Sequence, residues 1–222
     1  MMKREIDDFL NGTFSQTISE CQKFLYIARA EEYQIQSIEK LHQLDNEVKS
    51  LKKMAIEQQD EDSANTLLSV EYLVKTLIGE LKMWLELKNG KPDKAWNHLV
   101  EAQINLQDSC QVDNLPNISC EGYMNKLLIL EKILFPAQIF ASPGYVAEDC
   151  ECSICGKDYN ECDHITGKAY MGEMCYTILR NVRFVEFSIV DEPSDKHARI
   201  TEFSDGDVIR DRMTWREISK SS

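Results

Sequence analysis

From Phe14 the apolar positions fall at Ile18, Cys21, Leu25 and Ala28. They resume at Ile35, Ile38, Leu41, Leu44 (or the neighbouring Asp45), Val48 and Leu51. Steps of three and four sustained over about forty residues predict one long amphipathic helix with a narrow apolar seam. Glu31 and Glu32 interrupt that seam and mark the place for a kink or a polar layer. The tract from Glu57 to Ser63 is polar and reads as a turn, with Asp62 or Ser63 capping a second helix. The second seam runs Leu67, Val70, Val74, Leu77, Leu81 and Trp84, and Asn89-Gly90 supplies its stop. Pro92 opens a third helix, where a missing N–H is harmless; it carries Trp96, Leu99, Val100, Gln103 and Leu106 and fades by Asp113. A fourth begins near Pro116 or Ser119 and passes Tyr123, Leu127, Leu130 and Leu134 to Pro136.

Four one-sided helices with short connections predict an antiparallel helical bundle over residues 1–136, coiled-coil-like along its long first helix. The excess length of that helix must project, kink or pair, so a homodimer through its seam is one expectation and a solvated extension the other. Trp84 and Trp96, at helical spacing, are expected in the core. After Pro136 the period changes. Gln138–Val146 mixes β-formers with Pro143-Gly144 and reads as a strand and turn. Arg183–Val190 alternates and is rich in β-branched and aromatic residues, a strand. Ala198–Phe203 makes another, and Asp205-Gly206 a turn before Val208-Ile209. The expected class is therefore α+β, with a β-rich module over 137–222.

Within that module, Cys150 to Cys175 holds five of the eight cysteines and one of the four histidines, too dense a cluster for packing alone. Its core is Cys152-x2-Cys155-x6-Cys162-x-His164, with Cys175 downstream. A Cys-x2-Cys turn lets two thiolates converge on one ion, and Gly156 leaves room for the tight backbone. Zinc takes four sulfur or imidazole donors in a tetrahedron, and a closed set of this kind is structural. Such a site folds a segment too small to make its own core. The expected ligands are Cys152, Cys155, Cys162 and His164. Cys175 is the alternative, because side chains two apart, as Cys162 and His164 are, strain a shared sphere; Cys150 is the weakest candidate. Free or disulfide-bonded cysteines are the bland reading. A catalytic zinc would need an open position and an acid or base, for which Glu161, Asp163 and Glu173 are at hand.

Composition narrows the partners. A hydrophobic content of 43% over 222 residues is enough for a packed core, and the net charge of −13 repels phosphate backbones. A nucleic-acid partner is therefore not expected, although Arg180 and Arg183 form a local basic pair. The opening Met-Met-Lys-Arg-Glu turns polar at once, and no long apolar run occurs, so neither a signal segment nor a membrane span is expected. Clustered cysteines at metal-like spacing then point to a cytoplasmic, reducing setting. Cys21, Cys110 and Cys120 lie in helical patterns and are expected to behave as small buried hydrophobes.

Two pieces of the C-terminal unit occur together: Cys152-Ser-Ile-Cys-Gly156 … Cys162-x-His164-x-x-Gly167-x-x-Tyr170-x-Gly172, and Val185-Glu-Phe-Ser-Ile-Val-Asp-Glu-Pro193. This pairing, spanning roughly residues 138–203, resembles the metal-binding segment and following strand of phage prohead-protease-like, capsid-maturation proteins and their uncharacterised bacterial relatives. The resemblance implies a phage or bacterial origin and a small β module built around zinc. That family's enzymes use a histidine and a serine nucleophile, and no motif here places either; His197, with Ser188 and Ser204 in its vicinity, is not marked as a pair. The expected function is a zinc-binding, non-enzymatic interaction module. It would act as a scaffold, adaptor or regulator with a protein partner, in a phage-related or anti-phage defence complex. A metal-dependent hydrolase or peptidase and a nucleic-acid-binding zinc protein are the alternatives.

Overall fold

Helices fill the first part of the chain and short strands the rest, in a computed structural model that describes residues 2–112 and 119–218. The helices are α1 (Met2–Phe9), α2 (Ser15–Gln22), α3 (Glu31–Glu57), α4 (Glu61–Lys88), α5 (Pro92–Val112) and α6 (Cys120–Leu134). A π-helical turn over Leu10–Phe14 joins α1 to α2. The strands are β1 (Phe140–Val146), β2 (Asp149–Cys152), β3 (Ala169–Tyr170), β4 (Glu173–Met174), β5 (Thr177–Arg180), β6 (Arg183–Val190), β7 (Glu202–Asp205) and β8 (Val208–Asp211). The class is α+β, as the change of period after Pro136 predicts.

α4 is the centre of the helical part. Its expected seam residues Leu67, Val70, Val74, Leu77 and Leu81 are each 0% exposed, but Ser69, Thr76 and Glu80 on its other faces are buried as well. The reason is that α3 and α5 flank it and α6 reaches it. Ser69 Oγ donates to the Ser109 carbonyl and Ser109 Oγ to that of Ser69, each at 2.8 Å, so α4 and α5 are tied reciprocally. Glu80 accepts from Tyr123 Oη at 2.8 Å and pairs with Lys126 at 2.5 Å, which brings in α6. Glu71 takes both Lys52 and Lys75 at 2.7 Å. A Cβ on Gly79 would lie 3.0 Å from the His98 carbonyl oxygen and 3.1 Å from Ala102 Cβ, so the α4–α5 crossing needs a residue without one. Trp84 and Trp96 are core, Trp96 stacking edge-on against Phe135.

The single long first helix is not formed. The chain breaks between Gln22 and Glu31, and α3 starts with Glu31 and Glu32 in its first turn, where carboxylates meet the helix dipole favourably. The Gln34 side-chain amide donates to the carbonyls of Phe24 (2.9 Å) and Tyr26 (3.0 Å), satisfying the broken backbone from the inside. Gln34 and Ser37 are consequently buried while Ile35 is exposed. The seam of Leu41, Leu44 and Val48 packs within the chain as part of the common core. The α3–α4 turn is shorter than the polar tract suggests. Its cap is Asp60, rather than Asp62 or Ser63, accepting from Ser63 N (3.2 Å) and Oγ (2.7 Å). Of the two expected starts of α6, Ser119 is the cap, bonded by the Gly122 amide at 3.1 Å. Asp113 and Pro116 lie outside the described residues. Cys21 is buried as expected, whereas Cys110 and Cys120 form a disulfide joining α5 to α6, with Cα atoms 6.1 Å apart. Their helical patterns give no hint of that pairing.

The strands form two-stranded antiparallel ribbons: β1–β6, β2–β5, β3–β4 and β7–β8. Pro143-Gly144 does not make a turn; it lies inside β1, whose ladder with β6 shifts register between Gly144 and Tyr145. Residues 198–200 run extended along the other edge of β1, through Ala141 N to Ala198 O (2.7 Å) and Ile200 N to Ile139 O (2.8 Å). The expected strand from Ala198 therefore becomes a regular ladder only at Glu202. β6 matches its expected span, and Gly206, in a left-handed conformation (φ +63°), closes the β7–β8 hairpin. The strand-rich part docks on the helices. Trp96 Nε1 donates to the Lys196 carbonyl (3.0 Å), Lys196 pairs with Glu131 (2.6 Å), and Arg199 pairs with Asp93.

Candidate metal centre

The site begins at the end of β2. Cys152 leaves the strand into a turn closed by Gly156 N donating to Cys152 O at 2.8 Å, with Gly156 at φ +69°. That left-handed glycine is what the Cys-x2-Cys-Gly pattern requires. The turn aims the amides of Ile154 and Cys155 at the Cys152 sulfur. Burial opposes the Cys152 thiolate, yet these amides, with the thiols of Cys155 and Cys162, pull its pKa down to about 6. A second arm descends from a 3-10 turn, Tyr159–Glu161, that ends on Cys162 and continues to His164.

The arms meet. One donor atom from each of Cys152, Cys155, Cys162 and His164 lies within 4.8 Å of all the others. Zinc–sulfur bonds of about 2.3 Å set tetrahedral sulfurs about 3.8 Å apart, so a small inward adjustment closes this group on one ion. His164 Nδ1 is buried and among the described residues has no hydrogen-bond partner, a state that a metal bond would relieve and that is otherwise costly. Cys152 is fully buried and Cys155 exposed, so the cluster sits at the surface with its first ligand anchored inside.

Cys175 is near as well. Its sulfur is 3.8 Å from that of Cys152, a tetrahedral edge in length, and it is fully buried beside β4. Burial pushes the Cys162 and Cys175 thiols up, and each also faces the Cys152 sulfur. The four residues named from spacing are thus brought together, with the alternative ligand next to them. Cys150 lies in β2 opposite Leu179 and outside the group.

Several residues that hold the site carry no ligand atom. Tyr159 Oη accepts from Thr166 N (3.0 Å) and Tyr170 Oη from Ile165 N (2.9 Å), pinning the loop after His164. The Tyr170 ring also packs edge-on against the His164 imidazole, centroids 4.7 Å apart. Gly167 is left-handed (φ +83°) and its amide donates to Cys175 O at 2.9 Å. A Cβ on Gly172 would lie 3.3 Å from the Lys52 side chain and 3.4 Å from Ala64 Cβ, so the module comes close to α3 and α4 at a residue without one. Gly167, Tyr170 and Gly172 belong to the Gly167-x-x-Tyr170-x-Gly172 spacing, whereas Tyr159 lies outside it.

The acids considered for catalysis, Glu161, Asp163 and Glu173, are all exposed. Among the described residues His197 pairs with Asp195 (2.9 Å) and not with Ser188 or Ser204. His98 faces Glu101 at 3.3 Å, and His42 is exposed. Among the described residues no helix is long and apolar enough to cross a membrane. Fold and site together define an α+β protein with a Cys3His cluster arranged to hold a metal ion. Comparison of the chain with protein-family models, curated proteins and solved structures returns no match.

Proposed function

We propose that this protein is a non-enzymatic interaction module whose C-terminal third is folded around one structural zinc ion. The ligands are Cys152, Cys155, Cys162 and His164, with Cys175 held beside them as an internal thiol. The observation that carries this reading is the convergence of those four donors within 4.8 Å, and His164 also has a buried Nδ1 without a hydrogen-bond partner among the described residues. Three soft thiolates with one imidazole select zinc over hard cations such as magnesium or calcium. A closed set of four protein donors leaves no position for substrate, which favours a structural role. The rigid, acidic protein then serves as a scaffold, adaptor or regulator for a protein partner. A phage or bacterial setting, including an anti-phage complex, rests on the likeness of residues 138–203 to prohead-protease-like proteins.

Metal analysis of chain purified without chelator, joined to cobalt substitution, tests the site. About one zinc per chain is expected, with cobalt giving the intense visible bands of a tetrahedral thiolate site. His164→Ala should lose the metal and Cys175→Ala should keep it. Loss in Cys175→Ala with retention in His164→Ala would replace the imidazole by the fifth cysteine. A folded chain that binds neither metal would overturn the proposal.

A further inference from the structure

The β1–β6 ribbon is covered on one edge and bare on the other. Residues 198–200 bond the outer edge of β1, while among the described residues no backbone hydrogen bond is made to the outer edge of β6. All of β6 except Val190 is exposed, although the strand reads Arg-Phe-Val-Glu-Phe-Ser-Ile-Val. An isolated two-stranded ribbon is marginal in water, and a long apolar edge is a template for another strand. Tyr145, Val146, Phe184, Val185, Phe187 and Ile189 are 48–65% exposed on this one ribbon. Taking such side chains at about 150–200 Å² apiece gives roughly 600 Å² of exposed apolar surface. Edge pairing of two copies covers the share of it carried by β6, so a concentration-dependent dimer is expected.

The pattern of β6 says which strand fits. Read outward from Phe187, the sequence is matched to itself in an antiparallel pairing. Val185 falls opposite Ile189 of a second copy, Glu186 opposite Ser188, Phe184 opposite Val190, and Arg183 opposite Asp191. Apolar residues thus meet apolar residues on one face, the two Glu186 carboxylates stay apart, and opposite charges close both ends. Centring the pairing on Glu186 sets carboxylate against carboxylate, and moving the centre by half a residue sets Val185 against Ser188. The Phe187-centred register avoids both faults and alone sets Arg183 opposite Asp191. In it each copy presents the same patch to the other, as a closed two-fold dimer demands.

We propose that the chain forms a two-fold homodimer by antiparallel pairing of β6 with β6 of a second copy, centred on Phe187, making a four-stranded sheet β1-β6-β6-β1. The helical seam first expected to mediate self-association is occupied within the chain, so the dimer lies on the opposite part of the molecule. The inference does not depend on which four donors hold the metal.

The test is the solution mass of the full-length, metal-loaded chain over a range of concentrations, by light scattering or sedimentation. Twice the 25.6 kDa chain mass is expected at high concentration. Phe187→Lys places two ammonium groups together at the axis and should weaken association at least tenfold. R183D should weaken it several-fold, by opposing Asp191 of the second copy, and the double variant R183D/D191R should restore it. All three positions are exposed, so circular dichroism and metal content should not change. Should Phe187→Lys misfold, the charge-reversal pair still decides. A monomer at every concentration, a dimer indifferent to these variants, or no recovery in R183D/D191R would overturn the proposal. Association only with a different protein would overturn it too.

Discussion

The two halves of this molecule are held by different physics. The helical part buries α4 among its neighbours, mostly in apolar contact, and the charges it buries there are paired: Glu71 with two lysines, Glu80 with Lys126. The cysteine module from β2 to β5 is built on ladders of two and four residues, and its fully buried side chains are the sulfurs of Cys152 and Cys175. Ladders that short do not stand alone. One half therefore folds by removing apolar surface from water, and the other, on the proposed reading, is organised by cross-linking through a metal. A metal site supplies binding energy that is also folding energy, which is why so small a module can be ordered without a core of its own.

The comparison breaks most visibly at Cys152. Cys152→Ser removes the anchored thiolate, and metal content should fall from about one per chain to near zero. The helical far-UV signal should persist, as circular dichroism and atomic emission on one sample would show. Leu77→Ala attacks the other half. Leu77 is 0% exposed at the centre of α4, and its truncation should cost about 3–5 kcal/mol in chemical denaturation while leaving metal content unchanged.

Glu71→Gln should cost about 2–4 kcal/mol at neutral pH, because Lys52, its side chain only 17% exposed, is left without its charge partner. Burial opposes the Glu71 carboxylate, but Lys52 and Lys75 hold its pKa below the ordinary 4.5. Its native value is thus lower than its unfolded one. The stabilisation is complete above pH 4.5 and is lost as pH falls through the native value. The difference in stability between wild type and Glu71→Gln should shrink on acidification, and a difference that grows would contradict the assignment. Smallest is the cap at the start of α4: Asp60→Ala should cost about 1 kcal/mol, read as a shift in the thermal midpoint.

Much of this division is legible in the residues themselves. The seam from Leu67 to Trp84 and the alternation of Arg183–Val190 mark elements whose period survives tertiary packing. Cys152-x2-Cys155-Gly156 works for a local reason: the turn that brings the thiols together is written in its own few residues. What stayed hidden depended on groups remote in sequence. Glu31 and Glu32 mark the place of the α2–α3 break, but the reach of Gln34 back to Phe24 and Tyr26 that stabilises it is encoded by no apolar period. The Cys110–Cys120 bond joins two helices whose separate patterns carry no pairing information. Pro143-Gly144 carries the chemistry of a turn, but the neighbouring β6 and the strap at 198–200 hold it extended, with a bulge to absorb the mismatch. The resting places of Tyr159 and Tyr170 against the His164 loop likewise needed the fold.

Hydrogen–deuterium exchange of the metal-loaded chain, with and without a zinc chelator, tests the central claim most directly. The account predicts that chelation abolishes protection over residues 149–180 and leaves α3, α4 and α5 protected. Protection unchanged across 149–180 after the metal is gone would contradict it, since the module would then be folded by something other than its cysteines and histidine.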